Sequence, residues 1–260
     1  MDLKLYSNST YNYNSKSQQA RVLTEAWVGK NMFCPRCGNI TLEHFKNNSP
    51  VADFFCPCCN NQYELKSKTG KLGVKITDGA YSSMIERINS NENPDLFLMS
   101  YSAKELSVLD FWIVPKYFFV PDIIEKRNPL SSTAKRSGWV GCNILRGKIP
   151  EQGRIRIINN GQVESIKNIT FKMQLANKLK TDNVAQRGWL LDILNCVNSI
   201  EPHEFELGDV YRFENRLAEK HPDNNNIRPK IRQQLQILRD KGVIEFIGNG
   251  KYRKIPQNNE

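Results

Sequence analysis

Three side chains within residues 53–66 have the chemistry of a metal-assisted hydrolytic site: Asp53, Glu64 and Lys66. Glu64 and Lys66 are two apart, so on a strand they share one face while Tyr63 and Leu65 point the other way. Asp53 sits in an apolar run after Pro50, which reads as the preceding strand. A hairpin joining the two strands sets Asp53 beside Glu64. Carboxylates hold Mg2+, a hard oxygen-seeking cation. Mg2+ polarises a phosphoryl oxygen and lowers the pKa of a bound water. Lys66 orients that water or neutralises charge on the phosphorane. A solvated strand face would carry Glu-x-Lys equally well; specificity comes from the apolar-embedded Asp53 at the right distance upstream. Glu25, near Trp27, is a candidate auxiliary acid, read more simply as a surface residue of a helix.

Five of the seven cysteines crowd into residues 34–59. Cys34-Pro-Arg-Cys37 and Cys56-Pro-Cys-Cys59 are two C-x2-C pairs separated by 18 residues. Each pair offers two thiolates from one tight knuckle, and two knuckles complete a tetrahedron, the pattern of a structural Zn2+ site. A closed four-thiolate site has no open position and hence no chemistry of its own. Cys58 points away if Cys56 and Cys59 ligate, and His44 is the alternative nitrogen ligand. Cys142 and Cys196 read as buried thiols.

The elements that position these residues follow from periodicity. Residues 1–15 read as a polar lead-in, and residues 17–30 as a helix with Ala20, Leu23, Ala26 and Trp27 on one face. Runs 96–101 and 108–114 are paired strands, with a helical stretch around 79–88 before them. This is an α/β (α+β) pattern, a mixed central sheet with helical cover and a zinc knuckle. From 183 the pattern changes to three helices, 184–199, 207–220 and one from about 226 to 241, then strands 243–247 and 251–255 joined by Gly248-Asn249-Gly250. Three helices and a hairpin read as a winged helix-turn-helix. The expected division is therefore 1–182 and 183–260.

Charge points to a polyanionic partner. Thirty-seven basic against 27 acidic side chains leave +10, and nucleic acid is the first candidate. Residues 187–225 carry four basic and eight acidic side chains, and residues 226–254 eight and two. The third helix and the wing, which such domains lay on DNA, are thus the positive part. No run approaches a membrane span. The polar start has no apolar signal region, and the cytoplasm is the expected location, with no obligate protein partner evident.

Asp53, Glu64 and Lys66 resemble the signature of the PD-(D/E)xK nuclease superfamily, with Ala52 in place of the usual proline. The chain from about Ala20 to Lys254 resembles DpnI-type methyl-directed restriction endonucleases. The segments that carry the likeness include Pro50-Val-Ala-Asp-Phe, Glu64-Leu-Lys-Ser-Lys68, Asp78-Gly-Ala-Tyr81, Gly138-Trp-Val-Gly-Cys-Asn143, Arg187-Gly-Trp189 and Ile231-Arg-Gln-Gln-Leu-Gln-Ile-Leu-Arg-Asp-Lys241. The resemblance implies Mg2+-dependent cleavage of double-stranded DNA at 5′-GATC sites carrying N6-methyladenine, with a blunt cut between A and T. It also implies that each of two domains can recognise the methylated site. Asp53, Glu64 and Leu65 are the positions for Mg2+, and Cys34, Cys37, Cys56 and Cys59 those for Zn2+.

Candidate DNA contacts fall in two places. On the third helix and wing they are Arg228, Lys230, Arg232, Gln233, Gln236, Lys251 and Arg253, with Arg239 further along the helix. Arginine suits guanine and glutamine suits adenine in the major groove, but N6-methylation removes half of a glutamine's partner, so methyl preference needs an apolar surface. In the nuclease domain, Lys135 and Arg136 suit phosphates. Trp139 either stacks on bases or fills core between turn-forming glycines; the resemblance favours the DNA contact. The competing class is a non-enzymatic zinc-ribbon and winged-helix transcription regulator, which has no need of Asp53, Glu64 and Lys66. A nuclease acting on unmodified or damaged DNA would share the site and differ only in recognition.

Overall fold

A computed structural model describes residues 1–6, 15–45 and 52–256. Pro50 and most of the expected polar lead-in lie outside the described residues. Helix α1 (Lys16–Asn31) buries Leu23, Thr24, Trp27 and Val28. Two short strands follow, β1 (Glu43–His44) and β2 (Phe54–Phe55), then β3 (Gln62–Thr69). Next come β4 (Lys75–Ala80) and α2 (Tyr81–Ser90). Gly79 and Ala80, expected in the helix, end the strand instead. The paired strands 96–101 and 108–114 appear as β5 (Asp95–Ser102) and β6 (Ser107–Val114). After β7 (Ile124–Lys126), β8 (Gly141–Leu145), β9 (Ile155–Asn159) and β10 (Gln162–Val163), helix α3 (Ile166–Lys178) closes this part of the chain.

Strands β1-β2-β3-β5-β6-β9-β10 form a mixed central sheet. β3 and β5 are parallel, with Glu64 opposite Leu96 and Lys66 opposite Leu98. A parallel pair needs a crossover, and β4 with α2 supplies it. β5 is buried along nearly its whole length, which explains its unbroken apolar run. A second, antiparallel sheet, β4-β8-β7, brings segments about 65 residues apart side by side, with Asp78 opposite Cys142. Residues 1–6 are more than a lead-in: Leu5 is buried, and the Trp27 indole N–H donates to the Asp2 carbonyl at 2.8 Å.

The C-terminal part holds α4 (Val184–Ser199), β11 (Glu204–Glu206), α5 (Leu207–Tyr211), α6 (Glu214–Lys220), α7 (Ile227–Asp240), β12 (Ile244–Gly248) and β13 (Lys251–Lys254). The expected single helix over 207–220 is two helices. The Phe213 N–H bonds back three residues, to the Val210 carbonyl at 3.1 Å, a tighter turn that interrupts the ladder. α7 buries Ile227, Ile231, Leu235 and Leu238 as its periodicity requires. Asn249 and Gly250, both at positive φ, make the two-residue turn of the wing. A third strand, β11, pairs with β13. Among the described residues no helix is long and apolar enough to cross a membrane.

Arg187 fastens this part to the first. It is 1% exposed, and its guanidinium donates to the Phe119 carbonyl at 3.0 Å, to the Thr181 carbonyl at 2.9 Å and to Asn91 Oδ1. Lys220 bridges Asp122 and Asp192 nearby. Arg187→Ala strands buried carbonyls, and chemical unfolding should show a loss on the order of 3 kcal/mol. An unchanged urea midpoint would contradict this role.

Candidate functional site

The β2–β3 hairpin does what the sequence pattern requires. Phe54 lies opposite Tyr63 and Phe55 opposite Gln62, so the next position back sets Asp53 against Glu64. Asp53 itself stands at a bend just before β2 rather than inside a strand. Two hydrogen bonds hold it there: its N–H donates to the Tyr63 carbonyl at 2.9 Å, and its Oδ2 accepts the Leu65 N–H at 2.7 Å. Leu65 therefore meets Asp53 through its amide.

Lys66 Nζ lies 2.6 Å from Glu64 Oε1 and 2.6 Å from Asp78 Oδ1. Asp53, Glu64, Lys66 and Asp78 line one cavity of about 160 Å3, whose rim includes Ser83 and Arg87 of α2. Burial pushes Glu64 above the usual carboxylate range, against the pull of Lys66. Burial also opposes the charge on Lys66, but Glu64 and Asp78 outweigh it and hold the ammonium above its ordinary value. A cluster of carboxylates around one lysine, in a niche of this size, suits a divalent cation.

Asp78 lies outside the Asp53, Glu64 and Lys66 signature. Its signal was alternation: Ile76 and Asp78 share the buried face of β4, and a charged residue on a buried face needs a partner. Glu25, read as a surface residue, is instead 84% buried in its side chain by its 16% exposure. Burial raises its pKa, Arg21 lowers it, and the charge of Asp53 raises it further. It belongs to the surroundings of Asp53.

The Sγ atoms of Cys34, Cys37, Cys56 and Cys59 all lie within 4.8 Å of one another, so the cluster could hold a structural metal such as zinc. Four soft thiolates at this spacing fit that ion. The second knuckle is the tip of the β2–β3 hairpin. Tyr63 Oη sits 3.0 Å from Cys34 Sγ, linking the cluster to the strand that carries Glu64. His44 is outside the cluster, with its ring 4.3 Å from that of Phe54. Cys58 is exposed and also outside it, and Cys142 and Cys196 are buried thiols.

The other candidate contacts are less free than their sequence suggests. On α7, Arg232, Gln233, Gln236 and Arg239 are exposed opposite the buried stripe. Arg232 Nη1 donates to Tyr211 Oη at 2.8 Å, Arg228 Nε to Glu214 at 2.8 Å, and Lys230 Nζ to Gln233 Oε1 at 2.8 Å. Lys251 lies 3.4 Å from Glu206, and Arg253 is held between Glu204 and Glu245 at 2.8 and 3.2 Å. The charge asymmetry along the chain is thus partly cancelled in space, because acidic β11 folds beside basic β13. Lys135 and Arg136 are exposed on a loop. Trp139 is half-buried beneath Arg136, whose guanidinium carbon is 4.9 Å from the ring centroid. Its ring lies so close to Gly141 that a Cβ there would come within 2.8 Å of it. The Val140 carbonyl accepts the N–H of Tyr81, at the start of α2, at 3.1 Å, so this loop is tied to the helix whose Ser83 and Arg87 line the cavity.

A family model described as the Dam-replacing family matches residues 1–182, and one described as the Dam-replacing HTH domain matches residues 185–254.

Proposed function

The chain belongs to the Dam-replacing family, which supports a methylation-dependent restriction endonuclease with a DNA-binding helix-turn-helix domain, and from that premise we propose its site, substrate and cut. The target is double-stranded 5′-GATC with N6-methyladenine, cut bluntly between A and T by phosphodiester hydrolysis. The reading divides the chain into a nuclease domain, 1–182, and a winged helix, 183–260, acting in the cytoplasm. The observation that carries it is the convergence of Asp53, Glu64 and Lys66 on one cavity, which a transcription regulator would not need.

Asp53, Glu64 and Leu65, the last lying between Glu64 and Lys66 in the motif, are the positions for Mg2+, which when bound polarises the scissile phosphate and acidifies a water. Lys66 keeps its ammonium charged at the same spot and offsets negative charge developing on phosphorus. Asp53 is kept in place by the Leu65 amide. Zn2+ on Cys34, Cys37, Cys56 and Cys59 is structural, clamping the hairpin that carries Asp53 and Glu64.

Burying one methyl is worth roughly 0.8 kcal/mol, too little for strict selectivity. Reading the methyls in both domains multiplies the discrimination, with Trp139 and its loop on one side and α7 on the other. Arg232→Ala should cost roughly 1–3 kcal/mol of affinity and relax specificity. Lys251→Ala should weaken all sequences alike and flatten the salt dependence. Fluorescence anisotropy with full-length protein on matched and mismatched duplexes separates the two outcomes. The function itself is tested on short duplexes bearing no, one or two methyls, with Mg2+ or EDTA, resolved on a sequencing gel. Blunt products from methylated duplex with Mg2+ support the reading. Intact methylated duplex, or equal cutting of unmethylated duplex, refutes it.

A further inference from the structure

Asp78 lies outside the sheet that carries Asp53, Glu64 and Lys66, yet it approaches Lys66 as closely as Glu64 does, at 2.6 Å. It sits where the β4–β8 ladder slips, between Asp78 and Ala80, and a bulge re-aims the side chain at its position. Its side chain is 4% exposed. Oδ1 accepts the Gly79 N–H at 2.6 Å as well as the ammonium. Oδ2 is buried and has no hydrogen-bond partner among the described residues. An unsatisfied buried carboxylate oxygen is costly, and one on a residue that lines the cavity is not accounted for by fold alone.

We propose that Asp78 is a positioning residue that keeps the Lys66 ammonium in the site when Glu64 turns to a divalent cation. The inference rests on the nuclease reading above. Glu64 is shared: the carboxylate that holds Lys66 is also a cation position. Glu64 holding a cation would have fewer lone pairs to offer Lys66, and the ammonium would be repelled. Lysine is a point charge on a flexible four-carbon stem, so losing Glu64 would release it from the site. Asp78 prevents that. Its Oδ1 contact persists, and its open Oδ2 can accept the N–H that Glu64 gives up without displacing another partner. Lys66 would thereby keep its hydrogen bonds with a cation bound, and Asp78 acts only through Lys66.

Asp78→Asn preserves size and the Gly79 contact and removes the charge. In full-length protein, cleavage of methylated GATC duplex should lose about 10²-fold in kcat. KM, the half-saturating Mg2+ concentration and the unfolding midpoint should stay at their wild-type values. Asp78→Glu, which restores the charge on a longer arm, should recover part of the rate. Wild-type kcat in Asp78→Asn overturns the inference. So does a raised Mg2+ requirement, which would make Asp78 a metal ligand, and so does a rate that merely follows a reduced folded fraction. Failure of the nuclease reading looks different, because the wild-type protein would then leave the duplex intact and take the inference with it.

Discussion

Glu64→Ala is expected to bind methylated duplex as the unaltered protein does and to cleave it about 10³-fold more slowly, close to 4 kcal/mol of lost transition-state stabilisation. The size of the effect follows from position. Glu64 faces the cavity from β3, ion-paired to Lys66 at 2.6 Å, so its removal deletes the proposed cation position and one of the two anchors of the ammonium. Asp53→Ala and Lys66→Ala should show the same separation of binding from cleavage. On the proposed function, affinity comes from elsewhere, from the basic side chains of α7, the wing and the 130–140 loop. Single-turnover cleavage alongside anisotropy checks the prediction, and normal cleavage by all three variants would remove the site assignment.

Loss of the cysteine cluster should be nearly as severe. Elemental analysis of the freshly purified protein should find one zinc per chain, retained under EDTA treatment that removes the activating Mg2+. Cys34→Ser or Cys56→Ser should lose that zinc, about 3–5 kcal/mol of stability and cleavage as well. Cleavage falls because the second knuckle is the turn between β2 and β3, and those strands set Asp53 against Glu64. Cys34 and Cys56 are fully buried, so the vacated cluster cannot simply be solvated in place. Zinc-free wild-type protein with full activity would refute the clamp.

Much of this arrangement is legible in local patterns of the sequence. The Glu64-x-Lys66 spacing, the paired C-x2-C knuckles and the turn at Asn249 and Gly250 each act over a few residues, and the folded chain has the arrangements they imply. What escaped is long-range or crowded. The β4-β8-β7 sheet joins short segments distant in sequence, so the approach of Asp78 to Lys66 had no local signal beyond the buried alternation of β4. β11 has a single buried apolar residue, Phe205, too little to announce a strand, yet its glutamates neutralise Arg253 and Lys251. Glu25 sits on a helix of weak amphipathicity, whose period could not tell solvent from the flank of Asp53.

The central question is whether this protein cuts DNA, and does so because the DNA is methylated. One digest decides it: plasmid from an adenine-methylating host and from a non-methylating host, each incubated with the full chain and Mg2+. Discrete blunt-ended fragments are expected from the methylated plasmid, none from the unmethylated one, and none from either with EDTA. Intact methylated plasmid in the presence of Mg2+, or equal fragmentation of both, would contradict it.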